Sequence, residues 1–287
     1  MFTALTDIIL DEGGSVYGAK IDNQMNVVHD CAITREQRDK FCGSKYVRSN
    51  LKKCIPKIKE DLLNEKVVLF SGTPCHVSMI KNIYKSINKG KLICVDIVCH
   101  GAPHEICWKK YKQYLENKYN GSIQSFNFRN KQKFGWKSHV ETLVINGKEY
   151  NIREYTDLFY KHLLLPKGCF SCKFKSLQRC GDITLADAWG GQGKEKQFDD
   201  NKGVSLVLIN TDTGKILFDK CKNNIIFQKC DISHYMQMPL RENFPMPSNY
   251  KEFWEDIKVK KWEDIYLKYA EVPFYKKLLR KIYYYIK

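Results

Sequence analysis

Val67-Val68-Leu69-Phe70-Ser71-Gly72-Thr73-Pro74-Cys75, followed after a polar interval by Leu92-Ile93-Cys94-Val95-Asp96-Ile97-Val98-Cys99, decides how this chain is read. Val67 to Phe70 is a short continuous apolar run, as in a strand buried on both faces. His76 to Ser86 has helical periodicity, and Leu92 to Val98 returns to a strand pattern. Strand, helix and strand in this order make a βαβ unit, whose crossover joins parallel strands of one sheet. Ser71 to Cys75 and Cys99 to Pro103 therefore leave the carboxyl ends of strands in the same sheet, and the two loops are expected to be neighbours.

Working outward, His104 to Tyr119 reads as a helix with Trp108, Tyr111 and Leu115 on one face, and the α/β half is expected to end there. Upstream lie a helix over Phe2 to Leu10, a break at Gly13-Gly14, strands near Val16 and Val27, and a helical stretch from Asn50 to Asn64 that contains Pro56. Ile123 to Phe128 and His139 to Ile145 alternate like strands, and Asn146-Gly147 predicts a hairpin turn into Tyr150-Asn151-Ile152. A helix from Tyr155 to Leu165 stops at Pro166, and strands return at Asp182 to Ala186 and Val204 to Asn210. The expected fold is α/β: a mixed sheet with a βαβ core, a β-hairpin-rich middle segment, and a helical C-terminal tail. Pro245 and Pro247 separate a domain over residues 1–247 from a basic tail over 248–287, whose Phe274, Leu278, Ile282 and Ile286 share one helical face. That tail is expected to dock on its own domain, with an anionic membrane surface as the less favoured alternative.

The 287 residues include 48 Lys and Arg against 32 Asp and Glu, a net charge of +16 that favours anionic partners. With 43% hydrophobic and 28% charged residues, the chain is expected to be neither disordered nor membrane-spanning. No secretory pattern opens it, so the cytoplasm is the expected location, and there 12 cysteines point to burial, reactivity or metal ligation rather than disulfides. Nucleotide fingerprints fail: Gly191-Gln192-Gly193 lacks the third glycine, and Gly90-Lys91 lacks the rest of a P-loop. No nucleic-acid reading motif accompanies the charge, so no nucleic-acid partner is expected.

Cysteine carries the chemistry. Cys169-Phe170-Ser171-Cys172 is half a metal site, read equally as a zinc knuckle, a redox dithiol or packed cysteines, with Cys180 as a nearby substitute. Cys75 and Cys99 sit at two β-to-α loop tips of one sheet, and Cys75 opens a helix, where free amides and the dipole favour a thiolate. His76, His100 and His104 lie near these loops without an assigned role.

Four ordered strings carry a family resemblance: Ser71-Gly72-Thr73-Pro74-Cys75, Val98-Cys99-His100-Gly101-Ala102-Pro103, Cys169-Phe170-Ser171-Cys172-Lys173-Phe174, and Asp182-Ile183-Thr184-Leu185-Ala186-Asp187-Ala188-Trp189-Gly190. Gly43-Ser44-Lys45-Tyr46-Val47, Gly135-Trp136-Lys137 and Asn201-Lys202-Gly203-Val204-Ser205 add to them, so the likeness runs from Phe2 to about Pro247. The chain resembles the coenzyme F420 hydrogenase/dehydrogenase beta-subunit family of iron–sulfur flavoproteins. The resemblance implies a [4Fe–4S] cluster on Cys75, Cys99, Cys169 and Cys172, with zinc on the same sulfurs as the chemical rival. It also implies FAD, for which Ser44, Lys45, Tyr46, Gly72 and Thr73 are candidates near phosphate or ribose, Arg129 and Lys137 as cations, and Asp187 and Trp189 as pocket walls. A ferredoxin or another electron-transfer protein and a small-molecule redox substrate are the implied partners. No cysteine run here matches the amino-terminal ferredoxin module of many relatives, and the Ser/Gly-rich loop they place before the segment matching Phe2-Thr3-Ala4-Leu5 is not in this sequence. The expected function is a flavin-dependent oxidoreductase relaying electrons between cluster and FAD, the alternative a non-catalytic, cluster- or zinc-stabilised interaction protein.

Overall fold

Val68, Leu69 and Phe70 are all fully buried, as the continuous apolar run requires of a strand covered on both faces. The computed structural model describes residues 1–190 and 196–270. Its strands are β1 (Ser15–Ile21), β2 (Val27–Ala32), β3 (Val68–Gly72), β4 (Leu92–Ile97), β5 (Ile123–Asn127), β6 (Glu141–Ile145), β7 (Lys148–Ile152), β8 (Ile183–Asp187) and β9 (Ser205–Ile209). Six of these make one sheet in the order β2-β1-β3-β4-β8-β9, and β5-β6-β7 make a second, antiparallel one. Within the large sheet β1, β3, β4 and β8 run parallel, while β2 and β9 pair antiparallel at its edges.

The helices are α1 (Phe2–Asp11), α2 (Arg35–Asp39), α3 (Cys54–Leu63), α4 (Pro74–Ile83), α5 (Glu105–Lys118), α6 (Lys131–Phe134), α7 (Glu154–Tyr160), α8 (Asp212–Cys221), α9 (Tyr250–Val259) and α10 (Trp262–Tyr269). Leu5 and Ile9 of α1 and Leu217 and Phe218 of α8 pack with Leu69, Ile93, Val95 and Ile183 on one face of the large sheet. Ile58, Leu62, Val77 and Ile80 of α3 and α4 cover Val68, Phe70 and Cys94 on the other. Alternate strand residues thus feed opposite layers of an α/β/α sandwich. A third core joins α5, α7, α9, α10 and the small sheet around Trp108, Tyr111, Tyr155 and Trp262. Trp108, Tyr111 and Leu115 form the buried face of α5, as their spacing predicts. Helices α9 and α10, the described part of the tail, contribute to this core. The apolar face from Phe274 to Ile286 lies outside the described residues, as does Gly191-Gln192-Gly193. No helix among the described residues is long and apolar enough to cross a membrane.

Several elements differ from expectation. The α/β half does not end at Tyr119: β8 returns to pair parallel with β4, so the β5–β7 segment is an excursion from one continuous sheet. Asp182 secures the return, its backbone N–H donating to the Cys94 carbonyl at 2.6 Å and its carboxylate accepting the Cys94 N–H at 2.7 Å. Helix α3 begins at Cys54, which places Pro56 in the first turn, where a missing N–H leaves no helical bond unmade. Helix α4 starts on Pro74, whose fixed φ suits a first helical position. Helix α7 stops at Tyr160, and His162 then adopts a φ of 61° that helices do not tolerate. Helix α8 is not among the expected elements, although Thr211 caps it by accepting the Gly214 N–H at 3.1 Å. The Asn146-Gly147 turn has φ of 52° and 72°, the paired positive values of a tight hairpin.

Asp96, near the carboxyl end of β4, forms a buried ion pair with Arg179 (2.8 Å; side-chain exposure 0% and 1%). Asp96 also accepts a short hydrogen bond from the Thr184 hydroxyl. Removing one partner of such a pair strands the other as an uncompensated charge. Asp96→Ala is expected to cost roughly 3–5 kcal/mol in urea unfolding. Lys89→Ala, at an exposed pair with Glu65, should change stability by less than about 1 kcal/mol.

Candidate functional site

The four candidate cysteines come from three segments that the fold brings together. Gly72 and Asp96 are paired neighbours on β3 and β4, so the loops bearing Cys75 and Cys99 leave the sheet side by side. Cys75 is the second residue of α4, and the Thr73 hydroxyl lies 3.2 Å from its sulfur. Cys169 and Cys172 lie on a tight turn after Pro166, where the Cys169 N–H donates to the Pro166 carbonyl at 2.9 Å and the Cys172 N–H to Asn243 Oδ1 at 3.1 Å. Gly101 lets the segment before this turn approach: it has a φ of 142°, and a Cβ there would meet Leu165 at 2.6 Å. The His104 N–H completes the junction by donating to the Leu164 carbonyl at 3.0 Å.

Burial pushes the Cys99 thiol up to about 12, with smaller contributions from the Cys75 and Cys169 sulfurs. Burial also raises Cys169, with Cys172 and Cys75 adding to the effect. Burial also lowers the pKa of Lys175, while Cys99, Cys172 and Cys169 oppose the shift. Its ammonium donates to the His100 carbonyl at 3.0 Å. Among the described residues no three Cys, His, Asp or Glu side chains converge as tightly as one metal ion requires. Cys180, the candidate substitute, donates its thiol to the Pro74 carbonyl at 3.2 Å.

A second group of candidates gathers beyond an aromatic partition. The half-buried Tyr46 ring packs on His139 and Phe159, each with centroids 4.8 Å away, and burial raises its hydroxyl pKa against the opposing influence of Arg129 and Ser44. Arg129 donates to Asp187 at 2.9 Å, to the Ser138 carbonyl at 3.3 Å, and to the Trp136 carbonyl. Its guanidinium lies 5.5 Å from the Trp189 ring, which stacks on Trp136 at 4.2 Å. Trp189 also borders a 330 Å³ cavity with Ser233, His234, Met236 and Gln237. Phe159 and Tyr160 stand between this wall and His100, the neighbour of Cys99.

The remaining candidates are placed differently. Lys45 donates to the Lys40 and Cys42 carbonyls at 3.1 and 2.7 Å, and burial brings its pKa down to about 8. Thr73 lies with the thiols, and Gly72 is crowded, since an added Cβ would meet Phe70 at 3.1 Å and His29 at 3.3 Å. Lys137 is exposed and is not drawn into either group. Lys175, His139 and Tyr160 are absent from the sequence candidates, and Trp136 enters them only as part of a motif. Nothing in Lys173-Phe174-Lys175 marks the second lysine as buried, and the His139–Tyr160 contact (2.7 Å) joins residues far apart in sequence.

His29 lies beside Gly72, its Nε2 2.9 Å from the Ser71 carbonyl and its Nδ1 2.7 Å from the Ser49 hydroxyl, so the neutral ring both donates and accepts. Burial lowers its pKa from 6.5 to about 4. A histidine depressed on folding contributes stability above its unfolded pKa and loses it as pH falls. Wild type should lose stability relative to His29→Gln between pH 6.5 and about 4, measured as the difference in urea midpoints; parallel profiles would contradict this.

No curated protein matches the chain in sequence. Its structure is similar to a chain of the xenon-derivatised F420-reducing [NiFe] hydrogenase complex from Methanosarcina barkeri, at 19% identity and a TM-score of 0.54, covering 92% of this chain and 83% of that one. This likeness shows a shared fold. Residues 65–234 match the family defined by the C terminus of the coenzyme F420 hydrogenase/dehydrogenase beta subunit. That span holds both cysteine-bearing strand ends, the Cys169–Cys172 turn, Arg129 and Asp187, and the chain belongs to the coenzyme F420 hydrogenase/dehydrogenase beta-subunit family.

Proposed function

We propose that this protein is an iron–sulfur flavoprotein that relays electrons between a [4Fe–4S] cluster and FAD, exchanging them with an electron-transfer protein on one side and a small redox substrate on the other. The observation that carries the proposal is the pairing of β3 with β4, which sends the Cys75 and Cys99 loops out of the sheet side by side, in a chain whose family is defined by a hydrogenase/dehydrogenase beta subunit. Soft thiolate ligands suit iron–sulfur clusters and zinc alike. Zinc has no redox chemistry, however, and membership of a hydrogenase/dehydrogenase family favours the cluster. When bound, the cluster supplies one-electron transfer. Cys75, Cys99, Cys169 and Cys172 would hold it, with Cys75 toward solvent and Cys99 toward His100 and the aromatic partition.

For flavin, the residues fit the ring better than the phosphates. Tyr46 and Trp189 offer aromatic faces, with the Arg129 cation beside them. Lys45 and Arg129, however, commit their donors to main-chain carbonyls and Asp187, and Lys137 stands apart. This distribution favours a second reading, a cluster-bearing protein that takes up no flavin. The net charge of +16 suits an acidic electron-transfer partner in either case.

Anaerobically purified Cys172→Ala should lose iron, whereas Cys230→Ala, at an exposed cysteine, should keep it; equal iron in both would overturn the ligand assignment. Flavin bound to the wild-type chain supports the relay to FAD, and iron without flavin supports the second reading.

A further inference from the structure

Lys175 is 8% exposed, and lysines this buried are rare unless paired. Among the described residues its ammonium has no carboxylate partner. It makes one hydrogen bond, to the His100 carbonyl at 3.0 Å, and lies 4.0 Å from the centre of the Phe244 ring. Phe244 in turn packs on His100 and His162, each with centroids at 4.2 Å, so the lysine rests on a fixed aromatic platform. An ammonium carries three donors, and one carbonyl with one ring face leaves a buried cation undercompensated. His100 directly follows Cys99 in the chain and Cys172 precedes Lys175 by three residues, so candidate cysteines of two segments are the lysine's neighbours along the chain. As neutral thiols these offer little; as the thiolate ligands of a cluster they supply the missing negative charge.

We propose that Lys175 is the fixed counter-charge of the metal centre and raises its reduction potential. The role rests on the cluster proposed above. Reduction of a bound cluster by an electron-transfer protein would add one electron and one negative charge to it, with no bond made or broken. The positive charge of Lys175 would stabilise the more negative state. In a buried position the effect is weakly screened, unlike that of Lys173, which is exposed. Lys175 is a positioning charge and carries no electron itself.

The test is a dithionite titration of the anaerobic full-length chain, followed by electron paramagnetic resonance, for wild type, Lys175→Met, Lys175→Arg and Lys173→Met. Lys175→Met should shift the midpoint to a lower potential at unchanged iron content, while Lys175→Arg and Lys173→Met stay near wild type. Loss of iron in Lys175→Met but not in Lys175→Arg would also support the counter-charge, because arginine keeps the positive charge. An unshifted midpoint in iron-replete Lys175→Met, or loss of iron in both Lys175 variants, would overturn it. Wild-type protein that takes up no iron and sulfide would instead remove the cluster reading itself, a distinguishable failure.

Discussion

The buried ion pair between Asp96 and Arg179 is the constraint on which the candidate site depends. Asp96 lies near the end of β4, just before Cys99, and Arg179 follows the Cys169–Cys172 turn along the chain. Joining them draws two distant parts of the sequence to the carboxyl edge of one sheet. Arg179 extends the clamp by donating to the Ile97 carbonyl at 3.1 Å and to the Phe174 carbonyl at 2.8 Å, so one guanidinium ties the approach to Cys99 to the exit from Cys172. Both charges are out of water, and any arrangement that separates the partners leaves a charge buried alone. Asp182 adds a second lock on the same crossing through Cys94.

The βαβ unit is legible in the sequence because its signal is local. The buried runs of β3 and β4 and the proline at the head of α4 each carry their own physical cause, and together they place the Cys75 loop beside the Cys99 loop. The Asn146-Gly147 hairpin is legible for the same reason, since the turn demands residues that accept positive φ. The return of β8 to the large sheet is not, because a whole second sheet separates it from its partner β4 and the contacts of Asp182 leave no trace in local periodicity. The end of α7 depends on the conformation of one residue, His162, that no spacing rule marks.

The candidate site divides along the same line. Cysteine type and loop position can be read from sequence, whereas burial and charge balance cannot. Lys45 reads as a free cation, but neighbouring carbonyls occupy it, and Arg129 is neutralised by Asp187. Lys175, two residues after an exposed lysine, lies buried against the His100 carbonyl beside Cys99. Electrostatic roles of this kind are set by what the fold places around a side chain, which composition alone does not encode.

The most direct measurement of the central claim is the iron, acid-labile sulfide and zinc content of the wild-type chain purified without oxygen. Iron and sulfide at about four each per chain are the expected result, as one cubane on four cysteines requires. Stoichiometric zinc in their place, or four freely alkylated thiols with no metal bound, would contradict it.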